Sequence, residues 1–165
     1  MPRPKPQRQQ DDNSTVIKIR RVSKKTKGGN NISFTALMVV GDKKGQVGLG
    51  LGKAPSVADA IKKGGRLARR DMVTLPLVHG TIPYQVETKF KGARVLMKPA
   101  PKGTGVIAGG VVRSVVEMAG VTDIVAKCLG GTNKASNAIA TFKAMAQLER
   151  TSHRLNALSK NKTQK

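Results

Sequence analysis

The sequence predicts an α+β protein built as two successive units. Three observations carry that expectation. Residues Ile32, Phe34, Ala36, Met38 and Val40 fall at alternate positions over a nine-residue run, the strongest strand signal in the chain. A helical stretch opened by Pro55 and Ser56 follows these strands. After a break carrying Pro76 and Gly80, strand and helix signals begin again and continue to Met145.

Taken in order, residues 1–14 hold Pro2, Pro4 and Pro6 among Arg3, Lys5 and Arg8, and read as a disordered basic arm. Val16 to Val22 has strand character, and the alternating run from Ile32 answers it across a basic stretch, Arg20 to Asn31. That stretch holds five cationic side chains, Arg20, Arg21, Lys24, Lys25 and Lys27, and no carboxylate. Together they describe a long hairpin arm whose tip has no internal partner for its charge. Gly41 to Gly45 is a turn, and Gln46 to Gly52 is a third strand.

In the third strand Val47, Leu49 and Leu51 share one face, and Gly48, Gly50 and Gly52 the other. A face of glycines lets another backbone come close. The Gly-x-Gly-x-Gly spacing is not a nucleotide loop, because the glycines alternate within a strand and no Gly-Lys-Ser/Thr follows. Ser56 and Asp59 stand at capping-box spacing. In the helix they open, Val57, Ile61, Ala68 and Met72 fall in one stripe, expected to pack on the sheet. Lys62, Lys63, Arg66, Arg69 and Arg70 cluster roughly opposite. Gly64 and Gly65 weaken this helix and point to a kink or a close approach.

The first unit therefore spans 15–75 and a linker 76–80. The second unit, 81–149, opens with a strand through Ile82, Tyr84, Val86 and Phe90, a turn at Lys91–Ala93, and a strand from Arg94 to Lys98. A loop from Pro99 to Gly105 leads to a helix from about Gly109 to Ala119, stopped by Gly120. Asp123 to Leu129 is a further strand, and Ala135, Ile139, Phe142 and Met145 keep helical spacing. Residues 150–165 carry five cations and no carboxylate, and read as a basic tail.

Charge sets the class of partner. The chain has 31 Lys plus Arg against nine Asp plus Glu, a formal +22 over 165 residues. Such an excess repels itself and calls for a polyanion. No apolar run is long enough to span a bilayer, and the start lacks a signal-peptide pattern, so nucleic acid fits better than a membrane. The aromatics are Phe34, Tyr84, Phe90 and Phe142, mostly at core positions, so contact with phosphates and RNA shape is favoured over stacking on single-stranded bases. Cys128 is the lone cysteine, and His79 and His153 are widely separated, so no metal cluster or cofactor site is expected. Cys128 with either histidine, or Asp123 with Glu117, would be the only catalytic pairings. Neither has a supporting signature, and no enzyme activity is expected.

Several motifs, in order, resemble the bacterial-type small-subunit ribosomal protein S-five family. They are Arg21–Gly29 (RVSKKTKGG), Phe34–Leu37 (FTAL), Val39–Asp42 (VVGD) and Gly45–Lys53 (GQVGLGLGK). In the second unit they are Pro99–Gly110 (PAPKGTGVIAGG), Arg113 and Met118–Val121 (MAGV). The resemblance runs from about residue 14 to 147. It implies a first domain of the double-stranded RNA-binding type, with three antiparallel strands and a helix. It also implies a second α/β domain with a left-handed βαβ crossover, where spacing alone would lead to a right-handed one.

By the same resemblance the protein binds small-subunit ribosomal RNA between head and body, beside the messenger entry channel. It contacts neighbours S-four and S-eight, contributes to decoding accuracy, and works in the cytoplasm or in an organellar ribosome. The candidate RNA-binding residues are Arg20, Arg21, Ser23, Lys24, Lys25, Lys27, Gly28 and Gly29 on the arm, and Lys53 after the third strand. To these the helix adds Lys62, Lys63, Arg66, Arg69 and Arg70. Gly105 and Arg113 are candidates for a protein interface. A free-standing double-stranded RNA-binding or chaperone protein is the competing reading, and it leaves the second unit's motifs unexplained.

Overall fold

The computed structural model describes residues 13–162, with side chains from 13 to 152. The expected N-terminal arm, apart from its last two residues, and the side chains of the tail beyond Ser152 lie outside that description.

The first sheet has the order β1-β2-β3-β4, with β1 Ser14–Thr26, β2 Gly29–Gly41, β3 Gln46–Ala54 and β4 Met72–Thr74. All its pairings are antiparallel. The strand expected to stop at Val22 continues to Thr26, so β1 and β2 form one hairpin of thirteen residues a side. Lys27 and Gly28 make its turn, between the paired Thr26 and Gly29. A fourth strand joins the three that were expected: Met72–Thr74 pairs with Gln46–Gly48. Three residues are too few to show a period.

Helix α1, Val57–Arg70, lies against β2 and β3. The face it buries is Ala60, Gly64, Gly65 and Ala68, and not the Val57–Ile61–Ala68–Met72 stripe that spacing favoured. Met72 lies beyond the helix, in β4. The reason is on the sheet. A Cβ on Gly48, Gly50 or Gly52 would run into the backbone of Ala68, Gly64 or Ala60 respectively. The glycine row of β3 and the small-residue row of α1 thus touch backbone to backbone, which leaves no room for Val or Ile between them. Ser56 is the N-cap, but its side chain makes no capping bond, so the Ser56–Asp59 box does not form.

The other face of the first sheet meets the second unit. Val39 and Val47 are fully buried in a core shared with Val95, Met97, Val112, Val115, Ile124, Met145 and Leu148. That core is built on a second sheet of order β5-β6-β8-β7. Its strands are β5 Val86–Phe90, β6 Ala93–Pro99, β7 Val106–Ile107 and β8 Ile124–Cys128. Helices α2, Gly110–Ala119, and α3, Lys134–Lys162, touch strands of both sheets and form the layer between them. Ile82 and Tyr84 precede the strand they were expected to belong to, which begins at Val86. β7 pairs parallel with β8 and is joined to it through α2, the βαβ unit of the second half. Gly120 ends α2 in the left-handed conformation, as the sequence predicted.

Residues 76–80 are fastened to the second unit. His79 and Gly80 form a tight turn of positive φ between the bridged Val78 and Thr81. The Gly80 carbonyl accepts hydrogen bonds from the Thr122 and Asp123 amides at 2.9 and 3.2 Å. The β2–β3 turn docks likewise on the end of α2: the Lys43 amide donates to the Met118 carbonyl at 3.1 Å and the Gly45 amide to the Ala119 carbonyl at 2.9 Å. Residues 150–162, read from charge as a tail, continue α3.

Candidate nucleic-acid interface

The arm is the most exposed element of the fold. Every residue from Arg20 to Ile32 is exposed. With no side chain buried there, its geometry comes from the cross-strand ladder and from Thr26, whose hydroxyl donates to the Gly29 carbonyl at 2.9 Å. Gly29 has φ +133, whereas Gly28 does not have a positive φ, so Gly29 alone supplies the backbone freedom expected of the pair.

Strand alternation divides the arm's candidates between two faces. Arg20 lies across from Thr35 and Lys24 across from Asn31, on the side of Lys18 and Val22. Arg21, Ser23 and Lys25 take the other side, with Ile19. The arm's charge is therefore a two-sided rim and not one patch.

The strongest concentration lies where β3 ends. β2 continues past Ala54 with no partner on that edge among the described residues, and a groove opens there lined by Lys24, Asn31, Ile32, Ser33, Lys53, Ala54, Pro55 and Lys63. A second groove begins from the same Lys53, Ala54, Pro55 and Lys63 and runs along α1 past Asp59, Lys62 and Arg66. The two share one floor. They form a single cationic track from the arm to the helix, with Lys24, Lys53, Lys62, Lys63 and Arg66 along it and Asp59 as the one carboxylate lining it among the described residues.

The last turn of α1 differs from this. The Arg70 guanidinium donates through Nε and Nη2 to both Asp71 oxygens at 3.2 Å. The pairing holds the Asp71 carboxyl below the usual range and Arg70 above its own. Arg70 is thus partly neutralised, a feature that a count along the helix face does not show. None of the four aromatics is exposed, so the track has no stacking platform and is suited to phosphates.

Gly105 and Arg113 come together at one corner. The Gly105 amide donates to Asp123 Oδ1 at 2.9 Å, and its carbonyl accepts from the Ile124 amide at 3.1 Å. One residue on, the Val106 carbonyl accepts from Arg113 Nη2 at 3.3 Å. Asp123, an acid candidate on sequence grounds, has both oxygens committed. Oδ1 takes the Gly103 and Gly105 amides, both at 2.9 Å, and Oδ2 the Thr122 hydroxyl at 2.8 Å. These bonds, that from Gly105 foremost, hold its carboxyl below the ordinary aspartate range. It organises the 103–105 loop. Nothing in the sequence marks the loop as its partner, since the bonds run to backbone eighteen and twenty residues away. Cys128 sits in β8 with its thiol pushed up by burial, opposite to what a nucleophile needs.

Fold and surface together define a two-unit α+β RNA-binding protein with no catalytic constellation among its described residues. Sequence comparison then gives the family. Residues 13–76 match the ribosomal protein S5 N-terminal domain and residues 88–160 match its C-terminal domain, so the chain belongs to the ribosomal protein S5 family and is not an enzyme. It is similar to the small ribosomal subunit protein uS5 of Treponema pallidum (strain Nichols), 54% identical over 134 residues, 81% of this chain and 77% of that one. It is 50% identical to uS5 of Thermus thermophilus over 138 residues, 84% of this chain and 85% of that one. The uS5 of Chloroflexus aurantiacus is 50% identical over 133 residues, 81% and 75% of the two chains.

Proposed function

We propose that this chain is a structural constituent of the small ribosomal subunit that braces ribosomal RNA through the cationic track. The observation that carries this reading is the continuity of the track from Lys24 on the arm to Arg66 on α1. Long cations along one furrow neutralise successive phosphates and fix the register of an RNA backbone without reading its bases. Arg21, Ser23, Lys25 and Lys27 extend the contact along the arm, and Arg69 and Arg70 extend it at the far end of α1.

The arm reaches from the body toward the head of the subunit near the messenger entry channel, and its grip limits movement between them. Decoding accuracy depends on that restraint. Gly105 and Arg113, at a corner fixed by Asp123, face the neighbouring ribosomal protein S-four, and S-eight is a further neighbour of the chain. The setting is the cytoplasmic small subunit. No helix among the described residues is long and apolar enough to cross a membrane.

Sedimentation separates this reading from a free RNA chaperone. The chain is expected to comigrate with small subunits through a sucrose gradient at physiological salt. Recovery at the top of the gradient, with subunits otherwise intact, would reject it.

A further inference from the structure

The face of the first sheet opposite α1 is not fully covered by the second unit. Val39 and Val47 are buried beneath it, but Leu51 of the same face is 57% exposed and Val22 is 40% exposed. The ladder explains the grouping. Leu51 stands across from Leu37, Leu37 from Lys18, Arg20 from Thr35 and Val22 from Ser33, all with side chains toward one side. Where α3 begins, Ala135 closes this strip into a groove of about 210 Å³ lined by Lys18, Arg20, Val22, Thr35, Leu37 and Leu51.

Three features define what fits there. The floor is aliphatic, so it offers neither a stacking surface nor a set of donors for bases. Among the described residues, the charged members of its lining, Lys18 and Arg20, are both cationic, with no carboxylate. The volume is below the roughly 300–1,000 Å³ typical of small-molecule sites and suits a single inserted side chain. An apolar anchor ringed by charges of one sign is the pattern of a protein contact. Its central pocket takes a buried side chain, and its rim selects the complementary charge.

We infer that this groove docks a segment of a neighbouring protein that inserts an apolar side chain over Leu37 and Leu51 and places Asp or Glu against Lys18 and Arg20. This surface is distinct from the phosphate track and from the Gly105–Arg113 corner, and the inference does not depend on either assignment. It leaves Lys24, farther along the arm, for RNA.

The test is photo-crosslinking within assembled small subunits. Benzoylphenylalanine is placed at Leu51 in one chain and at Val22 in another, both exposed positions. At one or both, the expected product is a protein adduct whose crosslinked peptide carries Asp or Glu within a few residues of the attachment point. Adding Lys18→Glu and Arg20→Glu to the reactive chain is expected to lower that yield at least fivefold. The inference is overturned by adducts to ribosomal RNA alone, by no protein adduct at either position, by a crosslinked peptide without carboxylates, or by a yield that ignores the charge reversal.

Discussion

Replacing Lys62, Lys63 and Arg66 together by Gln removes three exposed cations from the track without touching the buried row Ala60, Gly64 and Ala68. Surface changes of this kind alter stability by no more than about 0.5 kcal/mol each, so the variant remains folded. Each phosphate that is no longer neutralised lowers the slope of log affinity against log salt by about 0.7–0.9. Three phosphates therefore account for a slope change of about 2 to 3. Between 50 and 200 mM salt, about 0.6 log units, wild type should weaken roughly 20- to 40-fold more than the variant. Filter binding of the chain to a small-subunit ribosomal RNA fragment across that range measures it. Arg70→Gln, which removes a cation already bound to Asp71, is expected to change the slope by less than any one of the three. An unchanged slope in the triple variant would refute the reasoning, because those side chains would then be merely solvated.

Three further outcomes follow from the backbone and from Asp123. Gly29→Ala forces a side chain onto φ +133 and is expected to cost about 1–3 kcal/mol, whereas Gly28→Ala is expected to be near neutral; thermal melts of the two compare them. Gly50→Ala would bring a Cβ within 2.6 Å of the Ala68 amide nitrogen, against the Gly64 carbonyl as well, and should cost at least about 1–3 kcal/mol in urea unfolding by prising α1 from the sheet. Because the Asp123 carboxyl is lowered in the fold, its contribution is complete above the ordinary aspartate value of about 3.9 and disappears as pH falls below it. Protection of the Gly103 and Gly105 amides against exchange, relative to the intrinsic rate at each pH, should fall over that acid range, and Asp123→Asn should already show the lower protection at neutral pH. Equal rates in the two proteins at neutral pH would count against the clamp.

How far the sequence could be read depended on how many residues carried each signal. The nine-residue alternation of β2, the basic hairpin tip and the Gly120 stop were legible because local periodicity or turn chemistry suffices for them. β4 and β7, with three and two residues, exist only through pairing with β3 and β8 and have no local signature. The α1 stripe misled for a related reason. Hydrophobicity ranked Val57 and Ile61 above Ala60 and Gly64, yet the glycine row of β3 admits only the small pair. That row was visible in the sequence, but its match with Ala60, Gly64 and Ala68 depends on tertiary register. Of the site, the cationic residue types were legible from charge. Their division between two faces of the arm, the Arg70–Asp71 pair and the meeting of Lys24 with Lys63 were not, because each depends on where the strands and the helix end.

A density map of the chain within its small subunit tests most directly whether the track holds RNA. Phosphates are expected along its length, with the Nζ atoms of Lys24, Lys53 and Lys63 at charge-assisted hydrogen-bond distance, about 2.7–2.9 Å, from phosphate oxygens. A track facing solvent, or filled by protein with no phosphate near those three lysines, would contradict it.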